Sequence, residues 1–165
     1  MRKLECSHCG SEARIVRGDY EFKETGLRDF VLRDIELLKC AKCGNVDPIL
    51  ARVEELMHVA AVAILRKPYR LHGEELRFLR KHIDLSQVEF ARLLRVNKTT
   101  LSKWENNEDP IGVQSDLLAR AVVISRDRRL EKRAADHIRA LAKIADKQKH
   151  LRVEVDAEKL EYEYA

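Results

Sequence analysis

In the middle of the chain, apolar residues recur every three or four positions, the spacing that places them on one face of a helix. The first such run extends from Ile49 to Lys67 and ends before Pro68. Pro48 precedes it, at the first helical position, where proline is favoured. The sequence therefore predicts a connector helix over residues 47–68, followed by further helices.

Residues 85–110 have the pattern of two short helices joined by a tight turn. Ser86 and Asn97 are residue types that cap helices through a side-chain oxygen, and each precedes an amphipathic segment. In the second segment, Leu101 and Trp104 lie about one helical turn apart and predict a buried face. The remaining side chains are short, polar or cationic: Lys98, Thr99, Thr100, Ser102 and Lys103. A helix that exposes such groups is typical of one that lies in the major groove of DNA.

The last forty residues change in pattern and in charge. Apolar positions continue at heptad-like intervals from Leu130 to Ala145, which predicts either a core face or a dimer contact. Residues 126–149 contain nine Lys or Arg against four Asp or Glu, and the balance becomes acidic beyond Leu151. This basic segment is predicted either to contact phosphate or to be a solvated helix face. Alternation of apolar and polar residues over 150–164 predicts a strand or hairpin.

The first part of the chain contains all four cysteines in two C-x-x-C-G segments. Cys6 and Cys9 form the first pair, and Cys40 and Cys43 form the second. Two residues between thiolates allow one turn to direct both sulfurs at the same ion, and four thiolates fill a tetrahedral shell. The predicted cofactor is one structural Zn²⁺ per chain, and its removal should unfold this region. Strand-like segments between the pairs predict a small sheet that brings them together.

Two disulfides or an iron–sulfur cluster are alternative uses of four cysteines. No apolar signal segment follows Met1, so a cytoplasmic protein with reduced thiols is expected. His8 lies between two predicted ligands and is either a substitute ligand or a solvated turn residue.

Residues 85–110 resemble the helix-turn-helix of the lambda-type repressor (XRE) superfamily. The matching elements are Leu85-Ser86-Gln87, Ala91, Trp104-Glu105-Asn106 and Pro110. Two positions depart from the usual pattern, because Arg95 stands at the turn glycine and Asn107 stands at the glycine after the tryptophan motif. The resemblance implies a five-helix DNA-binding bundle. It also implies DNA contacts by five residues: Gln87, Lys98, Thr99, Thr100 and Lys103.

A C-x-x-C pair at each end of a small sheet, followed by an XRE-type motif, resembles the MqsA family, also called YgiT-type zinc finger/helix-turn-helix proteins. That resemblance implies a dimeric autorepressor that binds a palindromic operator in double-stranded DNA. It further implies an antitoxin whose zinc domain binds a small RNA-cleaving toxin. The alternative is a stand-alone transcription factor with a structural zinc domain and no toxin partner.

The expected fold is mostly α-helical, with a small N-terminal zinc-binding domain of α+β or β structure and a C-terminal helix-turn-helix bundle. Four segments are predicted: 1–46 for zinc, 47–68 for the connector, 69–125 for DNA and 126–165 as a basic helix and acidic tail that is a candidate dimerisation element. An enzyme is not expected, because glycine-rich phosphate loops and catalytic clusters are missing from the sequence and its six histidines are scattered. No apolar run is long enough to cross a membrane.

Overall fold

A computed structural model of the chain describes residues 4–165. Its N-terminal part is a sheet built on two long antiparallel strands, β1 (Ala13–Glu21) and β2 (Phe30–Cys40). A short 3₁₀ turn, Lys23–Thr25, joins them and ends at Gly26 in the left-handed conformation. Strand β3 (Val46–Pro48) pairs antiparallel with the last part of β2. The sheet predicted between the two cysteine pairs is therefore present.

Seven α-helices lie within residues 4–165. In chain order they are α1 (Val53–Arg66), α2 (Gly73–His82), α3 (Gln87–Leu93), α4 (Lys98–Glu105), α5 (Val113–Arg126), α6 (Arg128–Glu131) and α7 (Ala134–Leu141). None of these helices is long and apolar enough to cross a lipid bilayer.

The C-terminal residues return to structure formed early in the chain. Strand β5 (Ala145–Gln148) pairs in parallel with the two-residue strand β4 (Tyr69–Arg70). Strands β6 (Val153–Asp156) and β7 (Glu161–Tyr164) form the hairpin that the alternating pattern predicted. Strand β6 then pairs in parallel with the first residues of β2, so the sheet has the order β1-β2-β6-β7.

One hydrophobic core extends from the sheet through the helices. It includes Leu32 on β2, Leu65 on α1, Leu101 on α4 and Val155 on β6, all fully buried. The hydroxyl of Tyr164 also donates a hydrogen bond of 2.7 Å to the carbonyl of Ala63 in α1. A second, small cluster contains Cys6, Ala13 and Cys40 at the cysteine end of the sheet. The helical and sheet regions therefore share a core, whereas the cysteine end has its own.

Several expectations change in detail. The connector helix begins at Val53, and the prediction that it begins at Pro48 was wrong, because residues 46–48 pair with β2. The five-helix bundle is not confirmed as such. Along the heptad-like stripe, Leu130 and Leu141 are buried but Ile138 is exposed. The division into four segments stays a prediction, to which the structure adds the pairing of the last segment with the first.

Candidate DNA-binding surface and metal centre

Helices α3 and α4 form the predicted pair, and their capping side chains fix where each begins. The hydroxyl of Ser86 accepts a hydrogen bond from the amide of Glu89, whose carboxylate in turn accepts from the Ser86 amide. The side-chain oxygen of Asn97 accepts from the Thr100 amide at 2.7 Å. These bonds satisfy amides that have no partner inside the first helical turn. Both sequence-predicted caps are confirmed.

The turn between these helices has a left-handed residue at Arg95, with a φ of 58°. Asn107, after α4, has the same φ of 58°. These are the two positions where the XRE pattern has glycine, and both keep the backbone conformation that glycine favours. The departures from the pattern therefore leave the turn geometry intact.

Helix α4 separates a buried side from an exposed one. Leu101 and Glu105 are buried, whereas Lys98, Thr99 and Lys103 are exposed. Thr100 and Ser102 are half-buried. The ammonium of Lys103 lies 3.6 Å from the carboxylate of Asp109, and both side chains are at least half exposed. The structure thus brings four of the five predicted DNA-contacting residues together on one helix, and their contact with DNA stays a prediction.

The fifth predicted residue, Gln87, lies at the start of α3 and contacts a buried carboxylate. Its side-chain amide donates to Glu105 at 2.8 Å. The guanidinium of Arg80 on α2 makes two further bonds to Glu105, at 2.6 and 3.0 Å. Glu105 therefore joins three helices. In the sequence, Glu105 stands out only as part of the Trp104-Glu105-Asn106 motif. Its place directly after a tryptophan that was predicted to be buried was the available signal of a structural role.

The first residue of α2 lies against the end of α4. A Cβ atom on Gly73 would overlap the backbone carbonyls of Trp104 and Glu105. The Gly73 amide donates to the side-chain oxygen of Asn107 at 2.7 Å, which ties the left-handed residue to α2. This close approach, together with the bonds to the buried Glu105, fixes the position of α4 against α2 and α3.

The segment that contains α3 and α4 matches a known protein family. Residues 76–115 match the family HTH_3, described as Helix-turn-helix. The chain contains a helix-turn-helix of XRE type and is a DNA-binding transcriptional regulator, with double-stranded DNA as its partner. The match covers less than half of the chain, so the MqsA resemblance stays a hypothesis. No curated protein and no solved structure matches the chain.

The four cysteines come together at one end of the N-terminal sheet. Their sulfur atoms all lie within 4.8 Å of one another. The Cys6 and Cys43 sulfurs are 3.6 Å apart, and those of Cys9 and Cys40 are 3.7 Å apart. Sulfurs bound to one tetrahedral zinc at about 2.3 Å lie about 3.8 Å from each other. The spacing of the thiols therefore fits a Cys₄ zinc site.

The backbone of each cysteine pair forms the same turn. The amides of Gly10 and Gly44 donate to the carbonyls of Cys6 and Cys40, at 3.0 and 3.1 Å. Both glycines have a positive φ, of 67° and 75°. Such turns place two sulfurs on one side of the chain, and β1 and β2 bring the two turns together.

The thiols differ in how readily they ionise. A backbone hydrogen bond lowers the pKa of Cys43, but desolvation and the neighbouring thiols outweigh it and raise the pKa to about 12. The hydroxyl and the amide of Ser11 donate to Cys9 and lower its pKa to about 6. The amide of His8 donates to the Cys6 sulfur at 3.4 Å. Because a metal binds the thiolate and not the thiol, the Ser11 donors favour metal binding at Cys9, whereas Cys43 must lose its proton when an ion binds. The chemistry of the donor set fits zinc in a closed, structural site.

Proposed function

We propose that the chain regulates transcription by binding a palindromic operator as a homodimer, with α4 of each protomer in the major groove. The observation that carries this proposal is the exposed polar face of α4 within the helix-turn-helix match. A dimer with two-fold symmetry would contact half-sites about one helical turn of DNA apart. Repression of its own operon is the regulatory outcome that we propose.

Each exposed residue of α4 has a chemically suitable target. The Lys103 ammonium fits the acceptor atoms of guanine, and the Thr99 methyl fits the thymine methyl. Lys98, at the start of the helix, fits phosphate or flanking contacts, which set position more than sequence. The half-buried Thr100 is a secondary candidate for a DNA contact. The Gln87 amide nitrogen has two hydrogens, of which one bonds to Glu105, so the second is free to donate to phosphate.

The experiment measures DNA binding by the full chain and by two lysine variants. A fluorescent duplex covers the promoter upstream of the gene, and a scrambled duplex reports non-specific binding. Lys103→Ala should weaken promoter binding by about 1–3 kcal/mol, roughly 5- to 150-fold in Kd, and weaken scrambled binding less. The control is Lys159→Ala, which removes an exposed lysine of the sheet hairpin. Unchanged specificity in Lys103→Ala would show that this residue does not read a base.

The homodimer is tested on the same duplex by sedimentation. We expect two protomers on one full operator and a footprint with two-fold symmetry. One protomer on an asymmetric site would contradict the dimer while leaving DNA binding intact.

Toxin binding is a second candidate function, favoured by the position of the cysteine cluster ahead of the helix-turn-helix. In this arrangement a structural zinc ion would shape the N-terminal surface, and a small toxin would bind there. The test is co-expression of the full chain with the product of the adjacent gene. An antitoxin should relieve the toxicity of that product and purify with it, whereas a stand-alone regulator should do neither.

The full chain is needed for that test, because the N-terminal sheet is completed by β6 and β7. A piece that ends at residue 46 would lack those strands and helix α1. Failure of such a piece to bind would therefore say nothing about the intact protein.

A further inference from the structure

A second group of metal-binding side chains lies where α1, α2 and α6 meet. His58 is on α1, His82 is the last residue of α2, and Asp127 directly precedes α6. Their ligand atoms all lie within 4.8 Å of one another, although the residues are far apart in the sequence. All three side chains are more than three-quarters buried.

The carboxylate of Asp127 is fixed in place and directed between the two imidazoles. One oxygen accepts hydrogen bonds from the amides of Arg129 and Leu130, at 2.7 and 3.3 Å, and so caps α6. The other oxygen lies 2.8 Å from Nε2 of His82 and 3.7 Å from Nδ1 of His58. Capping therefore uses one oxygen and leaves the second as a ligand atom.

His58 is the member of the group whose structural role is incomplete. Its Nδ1 is buried and has no hydrogen-bond partner among the residues that the structure describes. A buried ring nitrogen without a partner is costly, since its lone pair or its proton loses hydration without compensation. The nitrogen lies 3.7 Å from the Asp127 oxygen, and a cation between them would give the nitrogen a partner.

We propose that His58, His82 and Asp127 form a second metal site, distinct from the four cysteines, that binds a divalent transition ion. Two imidazoles and one carboxylate are the donor set preferred by zinc, cobalt, nickel and ferrous iron, and not by calcium or magnesium. Binding requires the imidazole nitrogens without protons and the carboxylate ionised.

The contact between Asp127 and His82 sets the proton balance of binding. Nε2 of His82 lies 2.8 Å from the second Asp127 oxygen and donates its hydrogen to it. A divalent ion would displace that hydrogen, so binding should release one proton.

The cleft beside the three residues has room for further ligands, and the positive and negative charges that line it are equal in number. Its volume is about 400 Å³. It is lined by three carboxylates and three guanidiniums, those of Glu54, Asp84, Asp127, Arg126, Arg128 and Arg129. Glu54 lines the cleft four residues before His58, on the same face of α1, and its carboxylate or a water molecule would complete the shell. Before the metal binds, the formal charge of the cleft is therefore zero.

Occupation of this site would link parts of the chain that are otherwise joined by packing. Helix α1 belongs to the core that continues into the sheet, and α2 is the first helix behind the DNA-binding pair. A bound ion would fix the end of α2 to α1 and to the junction of α5 and α6. The site is therefore expected to stabilise the fold and to depend on the concentration of a transition ion.

The probe is Co²⁺, added to the full chain after its cysteine site has been loaded with zinc. The unmodified protein should bind one further ion, with visible absorption of cobalt bound to nitrogen and oxygen and without a thiolate charge-transfer band. The melting temperature should rise by several degrees at Co²⁺ concentrations about 100 times Kd. A thiolate band, or no second ion, would overturn the proposal.

Two ligand variants and one control give the assignment. His58→Gln removes an imidazole, and Asp127→Asn keeps an oxygen for the α6 cap while removing the carboxylate charge. Both should fold, keep one zinc and lose the second ion together with its thermal effect. His150→Gln changes a half-exposed histidine outside the group and should keep both ions. Cobalt binding that survives both ligand variants, or that His150→Gln abolishes, would place the ion elsewhere.

Discussion

At the scale of single residues, Glu105 shows how a motif position acts through the core. Its carboxylate is fully buried and bonded to Arg80 and Gln87. The buried charge is compensated by a guanidinium with two matched donors. The residue therefore keeps α4 in place, and the DNA contacts that we propose belong to the exposed side of that helix.

Removal of this carboxylate should be strongly destabilising. Glu105→Ala leaves Arg80 buried without its partner, and we expect the free energy of unfolding to fall by about 3–5 kcal/mol. Urea unfolding followed by the fluorescence of Trp104, the single tryptophan, measures the change. The control is Glu108→Ala, an exposed position three residues on, for which a change within about 0.5 kcal/mol is expected. Equal effects of the two variants would refute a structural role for Glu105.

At the scale of elements, the turn between α3 and α4 keeps a glycine-like conformation without glycine. An L-residue in the left-handed region costs about 1–2 kcal/mol, whereas glycine in a folded chain costs about 0.5–1 kcal/mol in entropy. Arg95 therefore carries strain that the surrounding helices tolerate.

Arg95→Gly should raise the free energy of unfolding by about 0.5–1 kcal/mol, because the relief of strain exceeds the entropic cost. The same substitution at Arg92, on the exposed side of α3, should lower it by about 1 kcal/mol. Chemical denaturation of both variants measures whether each substitution raises or lowers the free energy of unfolding. A loss of stability in Arg95→Gly would mean that its side chain contributes more than the strain costs.

Local signals in the sequence were enough for most elements but not for their assembly. Ser86, Asn97 and the C-x-x-C-G segments predicted caps and turns because the interactions involved lie within a few residues. The predicted start of α1 was wrong because residues 46–48 pair with β2, and this pairing overrides the preference of Pro48 for the first turn of a helix. The pairing of β6 with β2 joins distant segments, and no local pattern encodes such a partner. His58, His82 and Asp127 were missed for the same reason.

At the scale of the whole molecule, the continuous core predicts that sheet and helices unfold together. Val155→Ala removes fully buried methyl groups from β6 and should cost about 2 kcal/mol. The fluorescence of Trp104 in α4 should report the lower midpoint, although the substitution is in the sheet. Val46→Ala, at an exposed position of β3, is the control and should have little effect. A Trp104 transition unaffected by Val155→Ala would show two independent units.

Metal removal should act on a smaller region than the sequence alone indicated. The cysteine turns have their own small cluster, whereas Leu32 and Val155 belong to the main core. We expect chelation to remove hydrogen-exchange protection from the amides of Gly10 and Gly44 and to preserve it at Val153, whose amide bonds to Asp29. Loss of protection throughout the sheet would mean that the metal supports the whole N-terminal region.

The pairing of β6 with β2 also sets an order of events during synthesis. Arg33 and Glu154, which bond across these strands, are 121 residues apart in the chain. The ribosome delivers about 5–20 residues per second, so the cysteine turns and the DNA-binding helices emerge seconds before the strand that completes the sheet. Until then β2 has an open edge beside an apolar face, the kind of surface on which chains aggregate. A nascent or truncated chain is therefore the form of this protein most in need of a chaperone.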